Sequence, residues 1–142
     1  MPHHPQPLTR LAADKTLIAP SILAADFARL GAEIRAAADG GADIIHVDIM
    51  DGHFVPNLTI GPPVVAKIRG CCSLPYDVHL MLSRPQDFVE PFATAGADHL
   101  TIHVESEGDT RETLATIHDL GCSAGICLKP ATPASALKPF MD

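Results

Sequence analysis

A chain of 142 residues with 46% hydrophobic side chains is long enough to bury one core and suggests a single domain. A formal charge of −7 supplies no basic face, which argues against nucleic-acid and anionic-membrane partners and leaves small polar ligands open. No apolar run approaches the roughly 20 residues that a bilayer requires, and the opening MPHHPQPLTRLAADK lacks the apolar centre of a secretory signal, so the cytoplasm is the expected compartment. Cys71, Cys72, Cys122 and Cys127 form no CxxC spacing and read as reduced packing residues.

In chain order, residues 1–14 have prolines, His3, His4 and no periodicity, and read as a flexible extension with both histidines in solvent. Residues 15–142 then alternate strand-length apolar segments with amphipathic, helix-length ones. A strand is expected over 16–23. A helix over 26–38 follows, with Asp26 as N-cap and Phe27, Leu30 and Ile34 on its apolar face. Gly40 and Gly41 close it. A second strand over 43–50 leads into the turn DGHFVPN, then a helix over 62–69 with proline in its first turn. Strands over 76–82, 99–105 and 123–128 are separated by helices over 84–95 and 110–120, and Pro133 opens a fifth helix.

The phrases GGADIIHVD and AGADHLTIHVE repeat one grammar: a helix-ending glycine, a short turn, and an apolar strand carrying a histidine and an acid near its end. About five βα units of this kind predict an α/β fold with parallel strands. A barrel is favoured over a doubly wound sheet. Polar residues gather at the C-terminal ends of several strands, and no GxGxxG or P-loop sequence is present.

Residues two apart on a strand share a face, so His46, Asp48 and Met50 point one way, as do Asp77, His79 and Met81. Two imidazoles and a carboxylate at neighbouring strand ends make a three-ligand start for zinc, iron or manganese. Any one strand histidine is more often a hydrogen-bonded core residue, and the joint pattern is what favours the metal. His103 and Glu105 also share a face and read either as a pair orienting ligands or as a structural pair. Asp51 and His53 read as turn residues, and Lys129 is given no catalytic role.

The blocks APSILAADFARL, ADIIHVDIMDGHFVPNLTIGPPVV, DVHLML, AGADHLTIHVE and LKPATP, covering the chain from about residue 17 onward, resemble the ribulose-phosphate 3-epimerase family. That resemblance implies a (β/α)₈ TIM barrel and reversible epimerisation at C3 of D-ribulose 5-phosphate to D-xylulose 5-phosphate through a 2,3-enediolate, a step of the pentose phosphate pathway and Calvin cycle. It implies one divalent cation (zinc, iron, manganese or cobalt) on His46, Asp48 and His79, with Asp48 also the proton acceptor. Ser21, His79, Met50 and Met81 are the implied substrate-binding residues. A sugar phosphate is the implied partner, and homo-oligomers are frequent in the family. Lys129 stands where many members carry asparagine.

The family's fourth metal ligand, which is also its second catalytic aspartate, and its phosphate-binding loops are expected beyond Asp142. The chain is therefore expected to be an incomplete barrel of five of eight units, with two open sheet edges, unstable or self-associating, and nearly inactive alone. Two alternatives stand beside this reading. One is a closely similar allulose-6-phosphate 3-epimerase. The other is a non-catalytic barrel fragment serving as a binding or assembly module. A related decarboxylating or condensing barrel would need an Asp-x-Lys arrangement where this chain has HVDIMDG.

Overall fold

The computed structural model describes residues 5–11 and 14–141. His3 and His4, expected in solvent, lie outside the described residues, as does part of the expected extension. Within that extension, Gln6 N–H donates to Asp98 Oδ1 at 2.6 Å and Leu8 N–H donates to Ser123 Oγ at 3.0 Å, which lays this stretch against the N-terminal ends of two strands.

Four strands, β1 (Ile45–Met50), β2 (Tyr76–Met81), β3 (His99–His103) and β4 (Ser123–Cys127), pair in parallel in the order 1-2-3-4. Helix α1 (Leu30–Asp39) precedes β1, and α2 (Pro62–Ile68), α3 (Val89–Ala95) and α4 (Thr110–Asp119) make the three crossovers. Every second strand residue is buried in one cluster with the helices: Ile45, Val47 and Ile49 of β1, Tyr76, Val78 and Leu80 of β2, and Leu100 and Ile102 of β3 meet Ile34, Val65, Phe92 and Ile117. Each such side chain contributes about 1.5–3 kcal/mol of burial. A doubly wound sheet reverses strand order at a switch point and carries helices on both faces. Here the order runs steadily and the helices share one face, which is the arc of a barrel.

The expected first strand is not formed as one. Residues 16–20 do run beside β1: Ile18 O accepts from Asp43 N and Ile44 N, and Pro20 O accepts from His46 N. Only a single parallel bridge, Ser21 to His46, results. Pro20 has no N–H to give to a ladder, and Ser21 Oγ accepts from Leu23 N, turning the chain into a 3₁₀ turn at Ile22–Ala24. The described strands therefore number four, not five.

Asp26 caps as expected, its side chain accepting from Ala28 N, but the first turn is 3₁₀ (Phe27–Arg29) and Phe27 is 47% exposed while Leu30 and Ile34 are buried. The segment after Pro133 is a 3₁₀ stretch, Ala134–Phe140, and Pro139 inside it cannot donate to a helical ladder. β3 and β4 end two residues and one residue earlier than expected, at His103 and Cys127. All four cysteines are free thiols, with Cys122 buried in the core. Among the described residues no helix is long and apolar enough to cross a membrane.

Candidate active site

The half-buried face of the sheet, opposite the helices, is polar. Parallel register sets His46 beside Asp77 and His99, then Asp48 beside His79 and Thr101, then Met50 beside Met81. The sequence-predicted residues of β1 and β2 thus arrive in consecutive rows, with the methionines at the C-terminal rim.

Asp48 is the hub. Its Oδ1 lies 3.2 Å from His46 Nε2 and 3.4 Å from His79 Nδ1, and its Oδ2 accepts from Ser21 Oγ at 2.5 Å. The Ser21 bridge to His46 is what places that hydroxyl at the strand end. These donors hold the Asp48 carboxyl well below the usual carboxylate range, His46 contributing most, then His79 and, against a burial penalty, Ser21. Across the contact, Asp48 and then Asp77 raise the His46 imidazole to about 10, outweighing its burial.

His46 is held from its other nitrogen as well: Nδ1 lies 2.8 Å from Asp77 Oδ2. The end of β1 is fixed by Thr59, which accepts from Met50 N at 3.0 Å and donates to the Asp48 carbonyl at 2.8 Å. Asp51 accepts from the backbone N–H groups of His53, Phe54 and Ser83. Against the opposing effect of burial, these donors lower Asp51 to about 2, and they tie the loop after β1 to the end of β2.

On the far side of His79, Nε2 lies 2.9 Å from His103 Nε2, and the two rings stack at 5.0 Å between centroids. Cys127 Sγ is 3.5 Å from the same His79 nitrogen. Burial first, and then the carboxylates of Glu105 and Asp77, push that thiol up to about 11. Lys129 reaches back over the site, donating from Nζ to the Phe54 carbonyl at 3.0 Å and lying 3.6 Å from the centre of the Phe54 ring, while its N–H donates to Glu105 Oε1 at 2.7 Å.

His46, Asp48 and His79 each offer one donor atom within 4.8 Å of the others, and the donor separations of 3.2 and 3.4 Å suit a cation with bonds of about 2.0–2.2 Å. Two carboxylates, Asp48 and Asp77, converge on His46, so the negative charge that stabilises a proton there also favours a metal ion in its place. The donor set therefore fits a divalent cation. A second group, His79, His103 and Cys127, also lies within 4.8 Å and shares His79 with the first.

Sequence reasoning placed Asp77 on this face without a role, passed over Thr59 and Phe54, and read Cys127 as a packing residue. The signal for Asp77 was its spacing of two from His79. The others come from loops or a later strand, and no local pattern marks them.

Residues 17–142 match the model of the ribulose-phosphate 3 epimerase family. The chain is 49% identical over 125 residues to the ribulose-phosphate 3-epimerase of Bacillus subtilis, covering 88% of this chain and 58% of the relative. It is 52% identical over 124 residues to that of Synechocystis, covering 86% and 54%. It is 46% identical over 141 residues to ribulose-phosphate 3-epimerase 2 of Cupriavidus necator, covering 99% and 58%. The chain spans little more than half the length of the curated relatives it matches. The family's fold is a TIM barrel, and the four-stranded arc is a part of one. With a family match over residues 17–142, this chain belongs to the ribulose-phosphate 3-epimerase family.

Proposed function

We propose that the protein, continued to the length of its relatives, interconverts D-ribulose 5-phosphate and D-xylulose 5-phosphate by inverting C3, with Asp48 as proton acceptor. The observation that carries this reading is the convergence of His46, His79 and Ser21 on the two oxygens of one carboxylate, Asp48, at the C-terminal end of parallel strands.

The C3 proton lies next to a ketone and is weakly acidic. Asp48, ionised across the physiological range, takes it; the C–H electron pair moves into a C2–C3 double bond and negative charge develops on the C2 oxygen. Proton return to the opposite face of the planar 2,3-enediolate inverts the centre. The returning acid is proposed, from the family resemblance, to lie in the portion of the relatives beyond the present match.

His46, Asp48 and His79 would hold one divalent cation: zinc, iron, manganese or cobalt. When bound, that cation supplies positive charge beside the oxygens on C2 and C3. Met50 and Met81, opposite one another at the rim, present polarizable thioethers to a planar intermediate without offering an exchangeable proton. Ser21, whose hydroxyl donates to Asp48 Oδ2, is the proposed contact to the sugar. With four free thiols, the cytoplasm is the compartment proposed for this activity, and a homo-oligomer is the proposed assembly.

The test is turnover of ribulose 5-phosphate, with each candidate cation, by the 142-residue chain and by the chain continued to the length of its relatives (the completed form). Solvent deuterium incorporation at C3 is followed in parallel, with allulose 6-phosphate as the competing substrate. Turnover and C3 exchange by the completed form, both abolished by Asp48→Asn, support the proposal. Preference for allulose 6-phosphate would change the substrate and keep the chemistry. A folded, metal-loaded completed form that neither turns over nor exchanges would sink it in favour of a binding module.

A further inference from the structure

We propose that Lys129 is a positioning residue: by clamping the loop of residues 51–58 at Phe54, it holds that loop across the strand ends as a wall of the sugar site. The inference takes its substrate from the reading of the preceding section. It concerns two residues, Lys129 and Phe54, to which that reading gives no part.

The loop touches the C-terminal end of every strand in the arc. It leaves β1 at Asp51, and its neck is closed by the antiparallel bridge from Asp51 to Leu58 and by the two hydrogen bonds of the Thr59 hydroxyl to the end of β1. Asp51 Oδ2 accepts from the N–H of Ser83, two residues past β2, at 2.8 Å. The Phe54 ring lies against His103, the last residue of β3, with 4.9 Å between centroids and 52° between planes. The Phe54 carbonyl accepts from Nζ of Lys129, two residues past β4, at 3.0 Å. Met50 and Met81 form the rim at those same strand ends, so the loop borders the entrance that a sugar would use.

The neck and the middle of the loop are held differently. The neck has the bridge, Thr59 and Asp51, all of them on or beside β1. The middle has only short-range bonds of its own: the N–H groups of His53 and Phe54 donate to Asp51 Oδ1, and Asn57 N–H donates to the Val55 carbonyl. His53, Pro56 and Asn57 are exposed. Lys129, 75 residues further along the chain, ties this middle part to the far side of the arc.

A cation suits both surfaces of Phe54 that it meets. The ammonium donates to the carbonyl and also lies 3.6 Å from the centre of the ring, over its negative face. The backbone beneath it is anchored in turn, Lys129 N–H donating to Glu105 Oε1 at 2.7 Å. A neutral side chain of similar length would keep the packing and lose both attractions. A loop already held in place has less freedom to lose when a ligand arrives, so the clamp acts on substrate binding and not on the proton transfer.

The experiment compares the parent completed form with Lys129→Met and Lys129→Arg, after circular dichroism has confirmed folding. Amide hydrogen exchange of the peptides covering residues 51–58 is followed without substrate, and kcat and KM for ribulose 5-phosphate are then measured separately. In Lys129→Met the loop is expected to exchange roughly tenfold faster, the scale of one half-exposed bond to a charged group, while the peptides of β1 to β3 keep the parent rate. KM is expected to rise roughly tenfold with kcat within about twofold of the parent, the pattern of lost uniform binding. Lys129→Arg, which restores a cation and a donor, should return both readings towards the parent. Unchanged loop exchange in folded Lys129→Met overturns the clamp. Faster exchange with an unchanged KM confines Lys129 to stability and overturns the positioning role. Where Lys129→Met does not fold, Phe54→Leu removes the ring from the other side of the contact and is judged by the same two readings. If loop exchange responds as stated but the parent completed form does not turn over ribulose 5-phosphate, the clamp stands and the substrate reading is what fails.

Discussion

Asp77 lies directly opposite His46 across the β1–β2 ladder, and its Oδ2 sits 2.8 Å from His46 Nδ1. A ring held at Nδ1 by a carboxylate presents Nε2, the atom nearest Asp48, as the donor to a cation. Asp77→Asn is therefore expected to lower zinc or manganese affinity of the completed form by roughly ten- to a hundredfold without unfolding it. Equilibrium dialysis checks this, and an unchanged affinity would show that ring orientation comes from packing alone.

Ser21→Ala removes the hydroxyl that donates to Asp48 Oδ2 and leaves the histidine contacts in place. Hydrogen bonds to a charged group are worth about 1.5–3 kcal/mol, so kcat/KM is expected to fall roughly ten- to a hundredfold. Steady-state kinetics at constant metal loading is the measurement. A loss confined to KM would assign Ser21 to substrate binding and remove it from the orientation of the base.

Gly96 closes α3 at φ +113°, and a Cβ there would come within 2.6 Å of Arg69 Cγ. The same Arg69 donates to the carbonyls of Cys72 and Leu74 and pairs with buried Asp98, so it is not free to swing away. Gly96→Ala is expected to cost about 1–3 kcal/mol, from left-handed backbone strain and the contact together. Urea unfolding reads it; an unchanged midpoint would mean that the turn and Arg69 relax together.

Asp51 contributes stability that depends on pH in one direction. Its folded value is lowered from 3.8 to about 2 by the N–H donors of Ser83, Phe54 and His53, against burial. The ionised form is the one that the fold favours. The contribution is complete above the unfolded value and is lost as pH falls through the folded one. We expect Asp51→Asn to be less stable than the parent by about 1 kcal/mol near pH 6, and the gap to close between about pH 4 and pH 2. Unfolding curves at several pH values decide it: a gap that persists at low pH would assign the effect to shape instead of charge.

Much of the candidate site was legible because strand geometry is local. A period of two puts His46, Asp48 and Met50 on one face and Asp77, His79 and Met81 on another wherever the strands lie. The alternate residues of β1, β2 and β3 are the buried ones, as that period requires. It could not show that residues 16–20 would pair with β1 yet stop short of a strand, because the outcome turned on a missing N–H at Pro20 and a hydroxyl turn at Ser21. Nor could helical spacing show that Phe27 would fall in a 3₁₀ turn and face solvent.

By itself the sequence determined the α/β class, the existence and order of the strands and helices that did form, and the identity of the groups able to ligate or move a proton. Each of these follows from side-chain chemistry and repeat length along the chain. Only the tertiary structure decided which of those groups meet: Asp48 with His79, Asp77 with His46, His103 with His79. Register between parallel strands is set by how Val47, Val78 and Leu100 pack under the helices, and that packing joins residues about 20 to 30 positions apart, beyond the reach of any local pattern.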